Sequence, residues 1–269
     1  DSTFREARVL WTETEEIIKR ILAPYVNRST VITQGFIGRD GNNNTTTLGR
    51  EGSDYSAAIF AYCLDAVDVT IWKDVAGVMN ADPKRFADAV KLNAINYNQA
   101  IELAYYGASV IHPKTIQPLK SKNINLLVNS FLNINDVGTV VNNTAANLDE
   151  QCYIIKENQT LLSISTRNFS FIAEDNLSHI FEAFAQHSIR INVMQNSAIS
   201  FSACCDTKED KIEHLTALLN NDYKVEIQKD CTLLTVYNAS KRNEVPSFLK
   251  DKKVRLHQEL GTASQIVLE

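Results

Sequence analysis

The chain has 269 residues, 44% of them hydrophobic, which makes it globular and long enough for two ordinary domains. Its net charge of -5, with 27 Lys and Arg scattered along the sequence, leaves no basic footprint and argues against a nucleic-acid partner. No apolar run nears the roughly 18 residues of a membrane span, and the N-terminus lacks the basic-then-apolar pattern of a signal peptide; a cytoplasmic protein with no membrane partner is expected.

Residues 12–23 place Ile17, Ile18, Ile21 and Leu22 at helical spacing, and Pro24 predicts the stop. Val31, Ile32 and Thr33 read as a short strand. It leads into Gly35-Phe36-Ile37-Gly38 and then Thr45-Thr46-Thr47-Leu48-Gly49-Arg50-Glu51-Gly52-Ser53-Asp54-Tyr55, a loop dense in hydroxyls and glycines. Behind it residues 54–66 read as a helix with Ser53 as N-cap. Unpaired amides and the positive dipole end at such a helix start favour a phosphate or carboxylate. Gly49 and Gly52 would let the backbone approach that anion, and Arg50 could grip it bidentately. The same residues are equally compatible with an ordinary surface loop in which Ser53 only caps a helix.

A strand over residues 67–72 comes next, then a helical start at Asp82-Pro83 with proline in the first turn. Residues 97–106 predict a helix closed by Gly107. Val110-Ile111 is short and apolar, residues 113–119 add a helical turn or two, and residues 125–131 form a strand. Strands alternating with helices predict a parallel sheet covered on both faces. From residue 138 to 150 apolar content falls and Asn, Thr and Asp rise, which reads as a linker.

Beyond it the pattern changes. Residues 161–165 are a strand, and Leu177, Ile180, Phe181 and Phe184 mark one face of a helix. Ile189, Ile191 and Val193 alternate, as do Ile199, Phe201 and Ala203. Thr207 with Asp210 resembles a capping box for a helix carrying Ile212, Leu215, Leu218 and Leu219, and Tyr223, Val225 and Ile227 alternate again. That order is βαββαβ, the ferredoxin-like arrangement. A second copy starts at Cys231: a strand to Tyr237, a helix over 244–250, then strands over 254–258 and 264–268 about Gly261. It stops after βαββ, and residues 152–156 are the candidate donor of the missing strand. The expected organisation is therefore 1–142, a linker and possible donated strand over 143–157, a first module over 158–228, and a second, incomplete or strand-sharing module over 229–269.

Five widely spaced cysteines in mostly apolar surroundings read as reduced core thiols. Cys204 and Cys205 are adjacent, so on a strand they face opposite ways and cannot serve one metal. No metal site is expected.

Five blocks in order carry a resemblance: Gly35 to Gly38, the Thr45 to Tyr55 run, Trp72-Lys73-Asp74-Val75-Ala76-Gly77-Val78, Asp82-Pro83, and Gly107-Ala108-Ser109-Val110-Ile111-His112-Pro113. They resemble aspartate kinases of the amino-acid kinase family over roughly the first half of the chain, and the second half resembles the paired ACT modules of those enzymes. The implied fold is α/β: the C-terminal lobe of an amino-acid-kinase-like parallel sheet sandwich followed by ferredoxin-like ACT modules. The implied activity is transfer of the γ-phosphoryl of ATP, bound with Mg2+, to the β-carboxylate of L-aspartate. That gives 4-phospho-L-aspartate at the entry to lysine, threonine and methionine synthesis. Feedback regulation and homodimerisation through the ACT modules are also implied.

By the same resemblance Arg50 and Ser53 contact aspartate, Gly52 lies beside it, and Asp54 positions a catalytic lysine. The chemistry agrees in kind, because the transfer pushes two anions together and leaves catalysis to positioning and positive charge. The plain alternative for Asp54 is a carboxylate in a first helical turn. Residues at the end of the 67–72 strand lie where open α/β sheets bind nucleotides; Lys73, Asp74, Met79, Lys84, Ser109 and Val110 map onto ATP contacts. Met79, Lys84 and Ser109 stand where an aromatic, an arginine and a lysine are common, and Glu51 where many members have glycine. Taken alone, Lys73 reads as a solvated loop lysine and His112 as a turn residue.

Aspartate kinases also carry a Lys-x-Gly-Gly-Thr-Ser segment whose lysine stabilises the transferring phosphate, and this sequence has none. Its opening, Asp1-Ser2-Thr3-Phe4-Arg5, reads as the middle of such an enzyme, so we expect a fragment with negligible kinase activity by itself. ACT modules bind a small amino acid where the first helix begins and at the strand after it, here Phe169, Asn176 and Leu177 with Ile191, Asn192 and Ser197. Asp175-Asn176 replaces a glycine common at that helix start. Asn192 and Ala198 stand where lysine-responsive members have carboxylates, which removes charge partners for an ammonium. Two other readings remain open: a non-catalytic amino-acid-sensing ACT protein, and a kinase of another amino acid.

Overall fold

A strand needs a neighbour for its N–H and C=O groups as well as β-branched side chains, and the first unit shows the difference. The structure, a computed structural model, describes residues 1–26, 28–108, 111–168, 170–239 and 245–269. It divides into two compact units, Asp1–Glu150 and Gln151–Glu269.

In the first unit α1 (Trp11–Val26) runs past the predicted stop, with Pro24 inside its last turn. Residues 31–33 form no strand: Ile32 is 93% exposed and the segment has no ladder partner among the described residues. Pairing starts later, in the hairpin of β1 (Ile37–Arg39) and β2 (Thr45–Thr47). Its turn is tied by Asp40, whose Oδ1 accepts from the amides of Asn42 at 2.9 Å and Asn44 at 2.8 Å. There follow α2 (Gly52–Cys63), β3 (Asp68–Lys73), β4 (Ala94–Asn96), α3 (Tyr97–Tyr106), α4 (Pro113–Ser121), β5 (Asn125–Ser130) and β6 (Thr139–Asn142). Asp82-Pro83 builds a turn and no helix. The Asp82 side chain accepts from the Lys84 amide at 2.9 Å, an alternative to helical bonding that aspartate offers before a turn. Helix α3 is capped by the Asn96 side chain, which accepts from the Gln99 amide, and closed by Gly107 at φ 118.

The four-stranded sheet has the order β3-β5-β6-β4. Pairs β3/β5 and β4/β6 are parallel, as the alternation of strands and helices predicted, and β5/β6 is antiparallel. Strand β6 lies inside the stretch read as a linker. Its low apolar content misled because Thr139, fully buried, is satisfied: Oγ1 donates to the Leu92 carbonyl at 2.6 Å and accepts from the Val78 amide at 2.8 Å. Among the described residues the two faces are also unequally covered. Val69, Ile71, Leu126, Val128 and Ser130 are buried, whereas Thr70, Leu127 and Asn129 on the other face are half-buried and Trp72 is 49% exposed.

The second unit is a six-stranded antiparallel sheet of order β11-β12-β10-β7-β9-β8. Its elements are β7 (Cys152–Thr166), α5 (Glu174–Gln186), β8 (Ile191–Asn196), β9 (Ser200–Asp206), α6 (Glu209–Leu219), β10 (Tyr223–Tyr237), a 3-10 turn at Ser247–Leu249, β11 (Val254–Leu260) and β12 (Ala263–Leu268). Residues 152–156 are continuous with the 161–165 strand, and 223–227 with 231–237. Each pair forms one 15-residue strand, with an irregularity between Gln228 and Cys231. Thus residues 152–156 lie beside 233–237, and β12 lies on the other side of β10. Thr207 makes no capping box. Its Oγ1 sits 2.7 Å from that of Thr160, and α6 begins at Glu209 without a side-chain cap. The expected 244–250 helix lies partly outside the described residues, and what is described is the 3-10 turn.

Cys205 packs with Leu162, Ile164, Ile180, Phe184, Ile212 and Leu215 under the helices, and Cys204 with Val193, Cys231, Leu233 and Val267 on the opposite face. All five thiols are free and buried. Burial pushes the Cys63 thiol up to about 11 and that of Cys205 to about 12, which keeps them protonated and inert at neutral pH. Among the described residues no helix is long and apolar enough to cross a membrane.

Candidate functional site

The anion loop is shaped by where side chains cannot go. A Cβ on Gly52 would meet Phe36 Cδ2 at 2.6 Å and Leu48 Cβ at 3.1 Å, so only glycine lets the 35–38 and 45–48 segments close on the start of α2. Ser56 locks the closure from inside the helix. Its hydroxyl donates to the Gly52 carbonyl and accepts from the Phe36 amide, both at 2.8 Å. Ser56 was not among the expected site residues; the trace it leaves in sequence is a serine one helical turn after a glycine, too common a pattern to single out.

Ser53 is not the N-cap. That position belongs to Glu51, at φ 54 in the left-handed region, and the Glu51 side chain makes no capping bond. Among the described residues the backbone amides of Ser53 and Asp54 donate to no carbonyl, the usual state of first-turn amides that await an acceptor. Glycine would suit this position better, because a left-handed conformation costs a side-chain-bearing residue about 1 kcal/mol or more. One Glu51 carboxylate oxygen is in addition buried without a hydrogen-bond partner among the described residues. Glu51→Gly is therefore expected to stabilise the first unit by about 1–2 kcal/mol. Both tryptophans, Trp11 and Trp72, lie in that unit; the gain should appear as a higher urea midpoint in tryptophan fluorescence at unchanged slope.

Arg50 and Ser53 are exposed, and Arg50 makes no ion pair among the described residues. Asp54 faces inward to an unanticipated partner. Its Oδ2 accepts from Lys73 Nζ at 2.6 Å, the two side chains being only 15% and 23% exposed. Lys73 is the last residue of β3, its carbonyl accepts from the Phe131 amide at 2.9 Å, and the exposed Asp74 follows it. The loop that ends in α2 and the carboxyl edge of β3 thus meet at one ion pair. Met79 bridges to Lys91, and Lys84 is exposed; among the described residues no hydrogen bond or ion pair joins either to the Asp54–Lys73 pair. Ser109 and Val110 lie outside the described residues. His112 is the N-cap of α4, its Nδ1 accepting from the Lys114 amide. No cluster of His, Cys, Asp and Glu suited to a metal occurs among the described residues.

In the second unit the expected effector residues are largely engaged. Asn176 Oδ1 accepts from the Ala173 amide at 3.1 Å, and its Nδ2 donates to the Tyr223 hydroxyl at 3.3 Å. Leu177 and Ile191 pack against the helix-side core. Asn192 accepts from Lys156 Nζ at 3.0 Å and donates to Gln159 at 2.8 Å and Asp206 at 2.9 Å. Ser197 pairs with Ser200 across its turn, and Phe169 lies outside the described residues. Burial raises the Asp206 pKa, but hydrogen bonds from Gln159 and Asn192 and the charges of Lys156 and Lys208 outweigh it and hold the carboxyl below its ordinary value.

The α/β sheet has its β3 strand end tied by an ion pair to the start of α2, behind a glycine-hinged loop, and residues 2–130, which hold this arrangement, match the model of the amino acid kinase family. Within that family its relatives are aspartokinases. It is 37% identical over 191 residues to lysine-sensitive aspartokinase 3 of Escherichia coli K12, covering 69% of this chain and 41% of that protein. To the bifunctional aspartokinase/homoserine dehydrogenase of Buchnera aphidicola it is 30% identical over 244 residues, covering 89% and 29%. The solved structure of E. coli aspartokinase III with aspartate and ADP, in the R-state, superposes on all of this chain and 63% of that one, with a TM-score of 0.84 and 29% identity. The T-state structure with lysine and aspartate gives 0.79 over 99% and 63%. The chain thus spans less than half of these two curated relatives.

Proposed function

We propose that this chain is the substrate- and nucleotide-gripping part of an aspartate kinase, which transfers the γ-phosphoryl of magnesium ATP to the β-carboxylate of L-aspartate and yields 4-phospho-L-aspartate. The observation that carries the reading is the 2.6 Å Asp54–Lys73 pair, which brings the acceptor loop and the nucleotide edge of β3 to one point. The aspartokinase relatives, one of them solved with aspartate and ADP, support the choice of substrates.

Arg50 would grip the aspartate carboxylate, with Gly52 and Ser53 beside it. Lys73 and Asp74, with Met79, Lys84, Ser109 and Val110 further along, would serve the nucleotide. Magnesium would arrive on the ATP phosphates, as part of the substrate. The kinase portion spans residues 1–142. Two ACT modules, 158–228 and 229–269, follow the 143–157 connection, take a small amino-acid effector and pair two copies of a cytoplasmic enzyme. Taken alone, the chain would turn over negligibly, because its sequence has no Lys-x-Gly-Gly-Thr-Ser segment.

Calorimetric titration of the chain tests this. Magnesium ADP and L-aspartate should each bind, and Arg50→Ala should weaken aspartate at least tenfold, the effect of losing a charge-assisted bidentate contact, with ADP affinity unchanged. Absence of binding by both ligands would overturn the reading.

A further inference from the structure

The contact between Asp54 and Lys73 assigns a role to the lysine beyond lining a nucleotide site. Resting on the aspartate-kinase reading above, we infer that Lys73, tethered by Asp54, is the cation that meets the γ-phosphoryl group as it passes from ATP to the acceptor carboxylate.

A lysine at a strand end has a four-carbon stem with many rotamers, and its ammonium is ordinarily spread over a wide arc of solvent. Here the Nζ is fixed 2.6 Å from Asp54, with 23% of the lysine side chain exposed. Of the three ammonium donors one goes to Asp54, which leaves two for a ligand. Asp54 lies in the first turn of α2, next to Ser53, whose amide donates to no carbonyl among the described residues, and four residues beyond the exposed Arg50. On its other side the lysine continues directly into β3, whose carboxyl end is the edge for a nucleotide. Acceptor and donor anions seated on those two elements repel each other. The group that lowers that repulsion must sit between them, and a preorganised cation does so without reorganising during the reaction.

In the step a carboxylate oxygen of the acceptor forms a bond to the γ-phosphorus while the bond from that phosphorus to the β,γ-bridging oxygen breaks. The electron pair leaves with ADP. The acceptor reacts as a carboxylate, so the step moves no proton.

The experiment compares ATP, ADP and AMP, each with magnesium, for binding to the wild-type chain and to Lys73→Met and Lys73→Arg. The expected result is a loss of tenfold or more for ATP in Lys73→Met, a smaller loss for ADP and less than twofold for AMP, with most ATP affinity restored in Lys73→Arg. Unchanged ATP affinity, or equal losses for all three nucleotides, would overturn the inference, since a merely structural lysine does not discriminate by phosphate number. Should Lys73→Met fail to fold, Lys73→Gln, which keeps a donor for Asp54, decides by the same ratios. Wild-type chain that binds no nucleotide would overturn this inference together with the kinase reading, whereas normal wild-type binding with indifferent variants overturns the inference alone.

Discussion

Gly138→Ala should unfold the first unit at room temperature. A Cβ at this position would collide with the Val128 carbonyl oxygen and would lie 2.7 Å from its carbon and 2.5 Å from Asn129 Oδ1. Two of those three atoms are backbone of β5, which cannot rotate away. Relief therefore requires β6 to retreat from β5, against the register that pairs Val128 with Thr139. A retreat would also pull Thr139 Oγ1 from the Leu92 carbonyl and the Val78 amide, and β6 from its parallel pairing with β4. Losing buried hydrogen bonds and strand pairing together costs more than about 4 kcal/mol, a large part of the 5–15 kcal/mol that holds an ordinary domain. Trp11 and Trp72 report on this unit alone, so fluorescence already at the unfolded value without denaturant is the expected result. Gly41→Ala is the control. Nothing lies within 4 Å of its would-be Cβ, and its midpoint should move by less than about 0.5 kcal/mol. A Gly138→Ala protein with a native fluorescence midpoint would show that β6 does not approach β5 as described.

That position also illustrates which parts of the fold the sequence discloses. Helices α2, α3, α5 and α6 and strands β3, β5, β8 and β9 were legible, since each carries its own periodicity. Strands β4 and β6 were not. They have three and four residues, and they are strands because each finds a partner far along the chain. Residues 31–33 show the converse, with the right side chains and no ladder partner among the described residues. At the candidate site the glycine and hydroxyl content of the loop was visible, and so was the strand end at residues 72–74. The pairing of Asp54 with Lys73 was not, because nothing local links positions nineteen residues apart in sequence. Glu51 as the N-cap was hidden for another reason. Serine is the stronger capping residue, but the left-handed turn at Glu51 moves the helix start one residue ahead of Ser53.

In the second unit Leu162→Ala should cost about 3–4 kcal/mol and Leu161→Ala about 1 kcal/mol, although the two residues are neighbours. Strand β7 is central, flanked by β9 and β10, and Leu162 lies opposite Ala203 on one and Ile227 on the other. Its side chain is fully buried among Ile180, Phe184, Ile212 and Leu215, supplied by both helices. Small Ala203 across the pair cannot fill the space a truncated leucine leaves, so the cavity persists and its cost adds to the lost burial. Leu161 points to the opposite face and is only partly buried, beside Val193 and Cys204. Hydrogen exchange is the suitable measurement, since this unit has no tryptophan. Protection of β7, β9 and β10 should fall far more in Leu162→Ala than in Leu161→Ala. Because β7 and β10 are each one continuous strand, the loss should spread to residues 233–237, which pair with the start of β7. Loss confined to the half under α5 and α6 would mean that the irregularity between Gln228 and Cys231 uncouples the two halves, and that a ligand in one module could not be felt in the other through the strands they share.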